Sequence, residues 1–137
     1  MDPLSITLSV TALLKLTKDV VFYFKEARDA SDERKKFVRE ISGLSGMLTT
    51  LIDFVNEEDP DDPWLLAVLE LVGKDGPFDQ FASALQQLKA KIAPTSGVRK
   101  LGQILLWKQI KEDVQILLSQ IERLKTLVGV ALEVDHM

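Results

Sequence analysis

A chain of 137 residues, 46% apolar and 28% charged, is long enough to bury one core and too apolar to remain disordered along most of its length. It has no cysteine, which excludes disulfides, thiolate nucleophiles and cysteine-based zinc or iron–sulfur sites. The net charge of −4 disfavours nucleic acid as a partner.

Charge is unevenly spread. Asp53, Glu57, Glu58, Asp59, Asp61, Asp62, Glu70, Asp75 and Asp79 are opposed in their stretch by Lys74 alone. Farther along, Lys89, Lys91, Arg99, Lys100, Lys108, Lys111, Arg123 and Lys125 outweigh Glu112, Asp113 and Glu122. Such segregation suits head-to-tail self-association or contact with anionic lipid, and solvated helix faces are the plainer reading.

Asp2-Pro3 offers a cap acceptor followed by proline at the first helical position, so a first helix is expected over residues 3–28. Residues 4–10 alternate apolar and polar as a strand would, but Ile6, Val10, Leu13, Leu16, Val20 and Phe24 recur at three and four, which is a helical period. No basic region precedes the apolar stretch over residues 4–14, so a secretory signal is not expected. That stretch is also shorter than the roughly 20 residues a bilayer span needs.

Ser31 or Asp32 can cap a second helix reaching Asn56, in which Phe37, Ile41, Leu44, Leu48, Leu51 and Val55 form a seam at alternating four and three. Ser42, Gly43, Ser45 and Gly46 are read as a small-residue patch that lets another helix approach. Asp62-Pro63 repeats the cap-then-proline start for a short helix over residues 64–72, and Gly73-Lys74-Asp75-Gly76-Pro77 is a turn. A fourth helix carries Phe78, Phe81, Leu85, Leu88 and Ile92 and stops at Pro94-Thr95-Ser96-Gly97. A short helix over residues 98–107 then leads to a last long one from Gln109, with Val114, Leu117, Ile121, Leu124, Val128 and Ala131 on its seam. These elements predict a single domain over residues 1–137, an all-α, up-and-down helical bundle of four main helices with short accessory helices.

Nothing in the chain is assigned to catalysis, a cofactor or a metal, and an enzyme is not expected. The only histidine, His136, sits beside the terminus, and the acidic run 57–62 lacks the glycine and closing glutamate of a calcium loop. Arg34, Lys35, Lys36 and Arg39 form a basic cluster suited either to lipid headgroups or to an ordinary exposed face. Trp64 and Trp107 stand near helix ends, where an indole buries its ring and keeps its N–H outward, and a membrane interface is one use of such a residue. On a wheel at 100° per residue, Leu4, Leu8 and Phe22 fall with Lys15 on the side of helix 1 opposite its seam. Either an accessory helix covers those apolar residues or they are kept for a membrane or a partner.

Several strings carry a resemblance: Met1-Asp2-Pro3-Leu4-Ser5-Ile6, Glu40-Ile41-Ser42-Gly43-Leu44-Ser45-Gly46 followed by Leu48-Thr49-Thr50-Leu51, and Asp59-Pro60-Asp61-Asp62-Pro63-Trp64. To these add Gly76-Pro77-Phe78-Asp79-Gln80-Phe81, Ile121-Glu122-Arg123-Leu124-Lys125, Ala131-Leu132 and Asp135-His136. In their order and spacing over essentially the whole chain they resemble the N-terminal HeLo-like domains of fungal NOD-like receptor (STAND) proteins. The resemblance implies a cytoplasmic effector bundle placed ahead of nucleotide-binding and repeat domains in a longer chain. It also implies self-association and recruitment to the plasma membrane through helix 1 to trigger cell death in non-self recognition. Many similar domains carry a proline after the tryptophan, and Trp107-Lys108-Gln109 has none, so the short helix and the last one are either continuous or kinked there. An adaptor bundle that binds other proteins and never touches lipid is the alternative function.

Overall fold

The computed structural model describes residues 3–25, 32–57, 62–92 and 100–135. Every regular element among them is a helix: α1 (Pro3–Lys25), α2 (Asp32–Glu57), α3 (Trp64–Val72), α4 (Pro77–Ile92) and α5 (Lys100–Asp135). The local alternation of residues 4–10 is overridden, because Ile6 and Val10 belong to a helical stripe that continues through Leu13, Val20 and Phe24, all buried. Four long helices and one short accessory helix make up the bundle. Residues 100–107, within the short helix expected over 98–107, are not separate from the last helix: α5 is continuous over 36 residues, about 54 Å at 1.5 Å per residue. Where α1 ends relative to Arg28, and the stop over residues 94–97, lie outside the described residues.

The seams expected on α2, α4 and the last helix are buried at every position named for them. α1 packs on α2 and α4, and α5 packs on the same two helices, which leaves α1 diagonal to α5. Helix direction alternates along the chain. Thr7 meets Asn56 and Thr17 meets Ser45, so α1 and α2 are antiparallel, whereas Glu33 meets Lys111 and Glu40 meets Lys125, so α2 and α5 run parallel. The passage from α2 to α4 therefore crosses the bundle, and α3 makes that crossing while closing one end against α1, α4 and α5.

Local chemistry sets the ends of α3 and α4. Asp62 Oδ1 accepts the Trp64 backbone N–H at 2.8 Å and Pro63 already has helical φ and ψ, so Asp62 is the cap and Pro63 the first helical residue. In the turn before α4, Asp75 takes φ 62°, its N–H donates to Asp79 Oδ2 at 3.0 Å, and Gln80 Nε2 donates to its carbonyl. Gly76 cannot be replaced there without movement, since an added Cβ would lie 2.8 Å from the Glu70 carbonyl oxygen.

Candidate contact surface

Among the described residues no group of acids and histidines gathers as a metal-binding set, and no helix is long and apolar enough to cross a membrane. His136, residues 58–61 of the acidic run and the Trp107 side chain lie outside the described residues.

On α1 the side opposite the seam holds Leu8, 62% exposed, and Phe22, 66% exposed, with Lys15 between them and Lys18 and Asp19 close by. The Leu4 side chain lies outside the described residues. Among the described residues no accessory helix covers Leu8 or Phe22. They stand 14 residues apart, roughly 21 Å along the axis, so they are two separate apolar studs on a charged face. Asp19 is already engaged, accepting from Lys89 Nζ of α4 at 2.8 Å. Leu66, Ile116 and Val130 are exposed as well, and none of the three was singled out by the sequence.

The basic cluster does not face one way. Lys35, Lys36 and Arg39 are exposed, whereas Arg34 stands three residues before Phe37 on the inward side and is half-buried. Burial pushes its guanidinium below the ordinary arginine value, against an opposing influence from Tyr23. Much of the positive stretch between residues 80 and 125 is likewise consumed inside the fold. Lys89 pairs with Asp19, Lys91 with Asp113, Lys111 with Glu33 and Lys125 with Glu40. Segregation along the sequence thus becomes partial neutralisation in space.

The Glu40–Lys125 tie is pH-sensitive. Lys125 Nζ donates to Glu40 Oε2 at 2.7 Å, and that hydrogen bond together with the lysine charge holds the Glu40 carboxyl below its usual range. A carboxyl with a depressed folded pKa stabilises the fold above its ordinary value, near 4.3, and loses that contribution as pH falls through the folded value. Solvent reaches both side chains, so the tie contributes less than about 1 kcal/mol. Glu40→Gln is expected to lower the urea midpoint slightly at neutral pH and to leave it unchanged near pH 2, as equilibrium unfolding followed by circular dichroism at both pH values will read.

Two corrections concern interior polar groups. Trp64 does not turn its N–H outward: the ring is buried and Nε1 donates to the Ala131 carbonyl at 2.7 Å, so this indole ties α3 to α5 and offers nothing to a membrane. Thr17, which the α1 seam had not included, is fully buried at the position assigned to Leu16, and Leu16 is only partly so. Its Oγ1 donates to the Leu14 carbonyl at 2.7 Å and lies 3.0 Å from Ser45 Oγ, which in turn donates to the Ile41 carbonyl. Two hydroxyl protons are shared among three contacts, so both groups are satisfied without water. Unbroken spacing of four and three through Ile6, Val10, Leu13, Thr17, Val20 and Phe24 was the signal that could have found it.

The small-residue patch on α2 is not one helix-packing surface. Ser45 alone reaches α1, while an added Cβ on Gly43 would meet only the end of the Lys125 side chain at 3.1 Å. Gly46 faces away from the bundle, with nothing within 4 Å of the same added atom. Comparison with family models, with curated proteins and with solved structures returns no match, so surface chemistry carries the functional argument.

Proposed function

We propose that this bundle is a non-catalytic effector domain of the HeLo-like kind that its sequence resembles, acting in the cytoplasm by self-association and by contact with the plasma membrane through the outer face of α1. The observation that carries the reading is the exposure of Leu8 and Phe22 on a helix whose other face is core, with Lys15 and Lys18 beside them. Such a side chain, fully withdrawn from water, contributes about 1.5–3 kcal/mol. Each lysine at an anionic leaflet adds about 1 kcal/mol. Full insertion is opposed by Lys15, Lys18 and Asp19, each costing about 2.5–3.5 kcal/mol at the centre of a bilayer. Contact is therefore interfacial, and several copies acting together strengthen it.

The test is a double variant, Leu8→Lys with Phe22→Lys. Both side chains project into solvent, so the helical circular dichroism spectrum and the urea midpoint should be preserved while sedimentation with vesicles containing phosphatidylserine is lost. A wild-type domain that ignores such vesicles would sink the membrane reading. The two studs separated by lysines and an engaged aspartate would then favour the adaptor reading, in which α1 meets another protein.

A further inference from the structure

The face of α2 opposite its buried seam is exposed from end to end. Lys35, Arg39, Ser42, Gly46, Asp53 and Glu57 all point to solvent, and on a helical wheel they lie within about 40° of the direction of Gly46. Between residues 35 and 57 charge on this face is antisymmetric about that glycine, with exposed Asp32 lying beyond that span at the start of the helix. Arg39 precedes it by seven residues and Asp53 follows it by seven; Lys35 precedes it by eleven and Glu57 follows it by eleven. Within the helix this arrangement is unfavourable, because Lys35 with Arg39 and Asp53 with Glu57 are like charges at four-residue spacing. Among the described residues none of the four is engaged in an ion pair. The fold of one chain gives Gly46 no reason to be glycine.

We propose that this face docks a second copy of the same chain, with the two α2 helices antiparallel about a two-fold axis at Gly46. Under that operation Arg39 of one copy meets Asp53 of the other and Lys35 meets Glu57, and each pairing occurs twice, as an isologous interface requires. Ser42 and Gly43 come opposite Thr50 and Thr49, and Gly46 meets itself, so small side chains occupy the centre and let the backbones approach. A parallel alignment would set the bases against each other, which selects the antiparallel one. The proposal deepens the self-association in the reading above and rests on that part alone; lipid binding can fail without touching it.

The experiment is sedimentation velocity without lipid at about 20 mM salt, where screening is weak. The wild-type domain is expected to show a concentration-dependent dimer that dissociates as salt is raised. Lys35→Glu/Arg39→Glu and Asp53→Lys/Glu57→Lys should each weaken the dimer about tenfold or more, and mixing the two variants should restore it as a heterodimer. Because the chain has no cysteine, Gly46→Cys provides a second readout: oxidation should link two copies through residue 46, while Ser83→Cys on the exposed side of α4 should not link them. If a charge-reversed pair loses helix content, this cysteine comparison decides. A wild-type domain monomeric throughout, a mixture that stays monomeric, or equal crosslinking at residues 46 and 83 would overturn the proposal. So would a dimer lost with Leu8→Lys/Phe22→Lys and kept with the charge reversals.

Discussion

Phe37→Ala is expected to destabilise the domain by about 3–5 kcal/mol, enough to unfold a large fraction of molecules if total stability lies toward the lower end of the usual range of about 5–15 kcal/mol. The ring is completely buried and meets Phe24 edge-on, with centroids 5.2 Å apart. Phe24 in turn meets Tyr23 at 5.4 Å. Removing the Phe37 ring leaves a cavity at the junction of α1 and α2, and the seam residue that follows it, Ile41, is held by its own neighbours and cannot collapse inward without cost. Urea unfolding monitored by circular dichroism will measure the loss. A change under 1 kcal/mol would mean that this end of the helical pair is not packed as described.

Trp64→Ala should cost a similar amount, about 3–5 kcal/mol, because the indole closes the end of the bundle where α3 crosses it. Comparison with Trp64→Phe separates the two contributions of this residue. Phenylalanine retains most of the buried area and loses only the hydrogen bond to the Ala131 carbonyl, so a net cost of about 0.5–1.5 kcal/mol is expected. The same denaturation experiment reads both variants. If the two cost the same, the hydrogen bond dominates the ring.

The architecture was legible wherever apolar spacing was strict. On α2, Phe37 through Val55 obeyed one rule for five turns and every member is buried; α4 and the later part of α5 behave alike. Thr17 escaped because polarity masks a core position when the hydroxyl finds a partner in a neighbouring helix, and Ser45 lies 28 residues away. The division of the last helix near Trp107 had no local signal behind it, since Trp107-Lys108-Gln109 holds neither proline nor glycine, and α5 runs through that point. Trp64 was placed correctly at a helix end, yet the destination of its N–H depends on α5, a tertiary fact that no local pattern contains. For the contact surface, the wheel separated Leu8 and Phe22 from the seam of α1, whereas the inward turn of Arg34 needed the register of the α2 seam extended one step toward its start. Gly46 was counted as a packing residue because small size alone does not say which way a helix faces.

The parallel pairing of α2 with α5 has a consequence for the order of assembly during synthesis. Phe24 and Phe37 are close in the chain, so α1 and α2 can fold onto each other as soon as both have emerged, through local contacts that form fast. The remaining cover for the α2 seam comes from α5, whose partners lie far downstream: Glu33 waits for Lys111, 78 residues later. The hairpin is complete at Glu57, 54 residues before Lys111, so at about 5–20 residues per second it stands with part of its apolar seam open to water for roughly 3–11 s. During that interval a neighbouring nascent chain presents the same hairpin, and the acid–base ties from Glu33 to Lys111 and from Glu40 to Lys125 help the late-arriving helix find its register before another chain does.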